Sequence, residues 1–205
     1  MRVLTPWALL IRRLSLGLLV LSALWLGGCT AISVQNPSGS YSPVNAVASD
    51  DASRLLLQGA DVTAYFTQGK YVQGSAQFRS HYEGVDFRFA SAQAKALFDQ
   101  SPARYLPQYG GYCANGLVYG IPWGGDATTW KIIHDKLYIF GGQGSLDAFA
   151  LDEPGNLALA DRYWNDEVKG RNSFWQRAKR LIFRVAHYKS GAELAQLVAA
   201  SKAKP

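Results

Sequence analysis

Cysteine is scarce in this chain: two residues of 205, Cys29 and Cys113. No Cys-x-x-Cys pair exists, so a thiolate zinc centre, which fills four coordination positions, has no support in the sequence. Histidine is nearly as thin, with only His81, His134 and His187. The marks of nucleophilic or metal-assisted hydrolysis are missing too, since neither a Gly-x-Ser-x-Gly elbow nor a His-Glu-x-x-His helix occurs. The glycine-rich pieces at Gly124-Gly125 and Gly141-Gly-Gln-Gly144 lack the Lys-Ser/Thr ending of a phosphate loop and the spacing of a dinucleotide fingerprint. They read as loops. Nothing here points to a reaction, and the expectation is a protein that is not an enzyme.

Long hydrophobic runs are also lacking. The apolar stretch Leu14–Leu26 is thirteen residues, interrupted only by Ser and Gly, and follows Arg12-Arg13. At about 1.5 Å per residue it falls well short of the roughly 30 Å hydrocarbon core. A basic start followed by a short apolar run is the secretory signal pattern. The sequence Leu26-Gly27-Gly28-Cys29 comes next and resembles the lipobox of bacterial lipoproteins. That resemblance implies residues 1–28 as a lipoprotein signal peptide and Cys29 as an acylated new first residue. Multiple acyl chains on Cys29 would make the membrane a stable partner. Thr30 follows where an Asp would resemble the inner-membrane retention signal. This favours the periplasmic face of the outer membrane over the inner membrane. With Cys29 acylated, Cys113 has no cysteine left for an internal disulfide and reads as a leftover thiol.

Charge is unevenly spread. The formal net of +6 comes from the two ends. Residues 1–28 hold three Arg and no acid, and residues 169–205 hold nine Lys or Arg against Glu193, a net of +8. The body, 29–168, carries nine bases and fourteen acids, a net of −5. A nucleic-acid partner for the body fails on sign. Attraction between body and tail within one molecule is expected instead, over distances near a Debye length of about 8–10 Å.

Residues 29–53, the lipidated cysteine and a stretch rich in Ser, Asn, Pro and Gly, read as a flexible tether. Order is expected over 54–168. Residues 76–82 and 85–89 alternate around Glu83-Gly84, which predicts a β-hairpin. Ser91 is placed to cap a helix over 92–99. Residues 129–133 and 136–140 predict a second hairpin with His134-Asp135 at its turn. Residues 145–166 read as helical with a break near Pro154-Gly155. Strands joined by tight turns and interleaved with helices predict an α+β fold with antiparallel pairing. No internal repeat is evident.

The run Gly59-Ala-Asp61-Val-Thr-Ala-Tyr65-Phe66 resembles the opening motif of bacterial YHS-domain-containing proteins. The likeness continues through Phe89-Ala-Ser91, Leu97-Phe98, Pro102-Ala-Arg-Tyr105 and Pro107-Gln-Tyr-Gly-Gly-Tyr-Cys-Ala114, and ends at Asp161-Arg-Tyr-Trp164. It implies a small α+β module of a kind associated with metal binding, often through cysteines. The cofactor it suggests is thus a metal ion, of unknown identity. Cys113 and Asp61 are the positions it offers as metal or ligand contacts. The chain departs from the family in lacking the Tyr-His-Ser triplet.

Each of these residues also has a plainer reading. Cys113 is either a thiolate meeting a soft metal or redox partner, or a small buried residue among glycines. Asp61 is either a ligand or the cap of a turn. His81 reads as an exposed strand residue. In the tail, a helix is predicted from Phe174 to about His187, with Phe174, Ala178, Leu181, Ile182 and Val185 on one stripe and Arg177, Arg180 and Arg184 opposite. Ser190 and Glu193 form a capping box for a last helix. Such a basic amphipathic tail fits an anionic lipid surface, an envelope protein partner, or the domain itself.

Overall fold

The computed structural model describes residues 55–171 and 173–203; the expectations for 1–54, acylation of Cys29 and the tether among them, lie outside the described residues. The chain is α+β, as the alternating runs predict. Its first half opens on a tight left-handed turn, Leu57–Gly59, and a single-turn helix α1, Ala64–Thr67. The hairpin of β1 (Ser75–Tyr82) and β2 (Val85–Phe89) follows. Glu83 and Gly84 both have positive φ (47° and 76°), the backbone that lets a two-residue turn match strand twist. Helix α2, Ala92–Gln100, is capped by Ser91, whose hydroxyl accepts from the Ala94 N–H at 3.1 Å. It carries Phe98 onto Phe87 and Phe89, with ring centroids 4.5 and 5.1 Å apart. A short helix α3, Pro102–Tyr105, closes the half.

The second half repeats this course, contrary to the expectation of no repeat. A left-handed turn at Gln108–Gly111 leads into α4 (Ala114–Leu117), β3 (Asp126–Ile133), β4 (Lys136–Phe140) and α5 (Gln143–Ala150). Key backbone bonds correspond in pairs. Ala60 N–H donates to Leu57 O and Tyr112 N–H to Tyr109 O, both at 3.2 Å. Asp61 N–H reaches Val72 O at 2.9 Å, and Cys113 N–H reaches Trp123 O at 2.8 Å. Both hairpins break register at the same place, between Ser75 and Arg79 and between Asp126 and Trp130. The second hairpin also turns on two positive-φ residues, His134 (48°) and Asp135 (57°).

Four matched pairs carry the duplication. Gly59 and Gly111 adopt φ of 83° and 82°, which side chains with a Cβ rarely reach. Gly74 and Gly125 sit where an added Cβ would lie 2.4 Å from backbone. Phe89 and Phe140, and Phe98 and Phe149, are all fully buried. Nearly all the remaining positions have diverged, and so the repeat is hard to see in the sequence.

The strands pair antiparallel as expected, but in two separate two-stranded sheets. Strand β4 divides the interior. Leu137 and Ile139 belong to the core of the first half, while Tyr138 and Phe140 belong to that of the second. The apolar run 137–140 is therefore buried on both faces, which explains its lack of alternation. Tyr65 adds a cross-tie, donating its hydroxyl to Ala127 O at 2.7 Å.

After α5 the helical segment breaks at 151–152, earlier than the Pro154-Gly155 break expected. Asp152 accepts from Gly155 N–H at 3.1 Å, and Pro154 sits in the first turn of α6, Glu153–Tyr163. Proline starts this helix because the N–H it lacks has no partner there anyway. Helix α6 runs on through one wide turn, Trp164–Val168. The tail forms α7, Ser173–Ile182, and α8, Gly191–Lys202. The first is shorter than the helix expected to reach His187. The capping box at Ser190 and Glu193 is present. Docking of tail on body follows the charge asymmetry, through Glu167 with Lys179 (2.9 Å) and Arg180, and Lys202 with Asp147 (2.6 Å).

Candidate functional site

Asp61 and Cys113 occupy equivalent positions in the two halves, each just after the left-handed turn. Each ties that turn to the residue that follows the hairpin. Asp61 is fully buried. Its Oδ1 accepts from the Thr63 N–H (3.0 Å) and hydroxyl (2.7 Å), and its Oδ2 accepts from the Ala90 N–H (2.8 Å). Both carboxylate oxygens are thus engaged in holding α1 to the end of β2. The cap-like geometry is the plainer of the two roles the sequence offered for Asp61.

Cys113 is 2% exposed, and its Sγ accepts from the Gly141 N–H at 3.1 Å. Burial pushes the thiol pKa up. Bonds from the Gly116, Gly141 and Asn115 backbones and the Ser145 side chain offset part of that rise. A buried thiol with a raised pKa is protonated at neutral pH and is a poor nucleophile. Asp61 and Cys113 are each bonded within their own half. Among the described residues no group of three or more His, Cys, Asp or Glu side chains is arranged to hold a metal ion.

The histidines are accounted for separately. His81 Nδ1 lies 2.7 Å from Asp86 Oδ1 on the exposed hairpin. His134 forms the second turn. His187 places Nε2 2.9 Å from Val118 O and stacks on Tyr119 and Tyr163.

The sequence reading missed a cleft of about 610 Å³ lined in part by Gly141, the residue whose N–H donates to Cys113. Its floor is the glycine-rich link Gly141–Ser145 between β4 and α5. Tyr119 and Trp123 form one wall, and Leu194 and Val198 of α8 form the other. Asn115 and Ser145 offer polar atoms, and Lys189 and Lys202 stand among the lining residues. A cavity of this size with apolar walls and a few polar groups has the character of a small-molecule site. The one signal in the sequence was Gly142. It stands where Ser91 caps α2 in the first half, and it leaves α5 without a side-chain cap.

Two antiparallel hairpins, each followed by a helix and each opened by a left-handed turn, define a small duplicated α+β module. The chain contains a YHS domain: that family matches residues 63–109, which span α1 to the start of the second half. The Cys113 block lies beyond the matched residues. No curated protein and no solved structure matches the chain.

Proposed function

We propose that this chain is a membrane-anchored envelope lipoprotein, acylated on Cys29, whose YHS-containing body is a non-catalytic binding module for a small, largely apolar ligand. The reading rests on one observation, the cleft at the Gly141–Ser145 link walled by Tyr119, Trp123, Leu194 and Val198. Its lining is aromatic, aliphatic and glycine backbone, and the polar groups of Asn115 and Ser145 would orient one end of a guest. A metal ion is the weaker guest, because both oxygens of Asp61 already accept hydrogen bonds and no group of three or more His, Cys, Asp or Glu side chains is arranged to hold one among the described residues. Placement at the periplasmic face of the outer membrane follows from the lipobox-like Leu26-Gly27-Gly28-Cys29 and from Thr30.

Thermal unfolding of the full chain in detergent, with a panel of medium-chain fatty acids and with Zn²⁺ or Cu⁺, tests the guest. Ligand at about a hundred times its Kd adds about 2.7 kcal/mol. For a domain of this size that amounts to roughly 5–10 °C in Tm. The expected result is such a rise with an apolar acid, no rise with either metal, and no rise when Ala195→Trp fills the cleft. A flat response to every apolar compound, or a rise with metal that Cys113→Ser abolishes, overturns the reading. The intact mass of the native protein tests the anchor separately.

A further inference from the structure

Helix α7 is mounted inside out. Its polar side chains face the body: Arg177 is 4% exposed and Arg180 8%, and Ser173 and Gln176 are buried with them. Its large apolar side chains, among those described, face solvent: Trp175 is 68% exposed, Leu181 59% and Ile182 72%, and Phe183 just beyond the helix is 67% exposed. The sequence pattern, with an apolar stripe opposite an arginine stripe, leads to the opposite mounting in an ordinary globular domain.

The inversion has a local cause. After α4, Gly120 and Pro122 present carbonyls that accept from side chains of α7, and unmet buried carbonyls are costly. Gln176 donates to Gly120 O at 2.9 Å, and the Arg177 guanidinium donates to Pro122 O through Nε at 2.8 Å. Arg180 pairs with Glu167 and lies over the Tyr163 ring, 5.2 Å from its centroid. The body thus takes the polar face and turns the apolar face out.

We propose that this outward face, Trp175, Leu181, Ile182 and Phe183, is a docking surface that sits in the headgroup layer of an anionic bilayer. Exposed Arg171 and Lys179 stand beside Trp175, together with Asp166 and the Glu167 that pairs with Lys179. Exposed Lys169 and Arg184 flank the helix in sequence, and the net charge of +8 over residues 169–205 matches the negative charge of such a surface. Tryptophan beside basic residues suits the water–lipid boundary. A second copy of this chain is the poorer occupant, because both faces would bring a segment of net charge +8. Four large side chains also fall far short of the roughly 20–30 residues a side of a standard protein interface. The inference rests on the anchored reading only for the nearness of a bilayer. Lipid on Cys29 would hold the chain at the membrane, and this face would fix which way the body points.

The test uses full chain reconstituted into phosphatidylglycerol-containing vesicles whose acyl chains carry bromine, a quencher of tryptophan emission. Subtracting the spectrum of Trp175→Phe isolates Trp175 from the other tryptophans. The expected result is loss of Trp175 emission on anionic vesicles, weaker loss on phosphatidylcholine alone, and recovery in the double variant Leu181→Glu, Ile182→Glu with an unchanged circular dichroism spectrum. Unquenched Trp175 on anionic vesicles overturns the proposal. So does equal quenching in the double variant, or a dimer in detergent that the double variant dissociates. The mass of Cys29 is read on the same preparation, so a chain that is unacylated but quenched sinks the anchor alone.

Discussion

The two halves of the body use one backbone course with different chemistry at its key position. In the first, a carboxylate at Asp61 collects three donors and ties α1 to the residue after β2. In the second, the neutral thiol of Cys113 accepts from the corresponding N–H of Gly141 at 3.1 Å, a longer bond to a weaker acceptor, with further contacts from Gly116, Asn115 and Ser145. Ser91 caps α2, whereas Gly142 leaves α5 uncapped. The first half is therefore closed by strong local bonds. The second is looser at the same spot, and the cleft lies there, covered by α8.

The largest expected effect checks whether the halves are equivalent in their cores. Phe98→Ala and Phe149→Ala each remove a fully buried ring and should each cost about 3–5 kcal/mol in urea unfolding. A much smaller loss for Phe149 would mean that the second half is not built like the first.

The tie itself is the next comparison. Asp61→Ala leaves the Ala90 and Thr63 N–H groups without their acceptor and should cost about 3 kcal/mol, since bonds to charged groups are worth roughly 1.5–3 kcal/mol each. Cys113→Ala, which removes one weaker acceptor, should cost only about 1 kcal/mol. Equal losses in chemical denaturation would erase the contrast between the halves.

The smallest effect concerns the tail. Burial pushes the Glu167 carboxyl up, but hydrogen bonds from Lys179 and Gln176 and the charges of Arg180 and Lys179 outweigh it, so the net shift is downward. A depressed folded value means that this contribution is present above the ordinary glutamate range, about 4.3, and is lost as pH falls below it. Protease cleavage between Val168 and Ser173 should then be flat from neutral pH to about 5 and should rise only in stronger acid. Glu167→Gln should show the raised cleavage at neutral pH.

Much of the fold was legible along the chain. Both hairpins, their two-residue turns, the Ser91 cap and the Ser190–Glu193 box follow from period-two alternation and short polar side chains, which act over a few residues. The duplication was not legible. It is carried by two glycine pairs and two phenylalanine pairs, and the intervening residues answer to different neighbours. The equivalence of Asp61 and Cys113 was hidden for the same reason, although both residues stood out as candidates. The cleft was invisible because its lining comes from α4 and the segment after it, the β4–α5 link and α8, segments far apart in sequence.

The amphipathic pattern of 173–182 established that one face of α7 would be apolar and the other cationic, because a helix projects its side chains at fixed intervals. Which face meets the body was decided in three dimensions. The carbonyls of Gly120 and Pro122 and the Glu167 carboxylate lie where the helix lands, and they accept from arginine and glutamine side chains. Local periodicity sets what a helix can offer, and the hydrogen-bonding needs of the surface beneath it determine which side it shows to solvent.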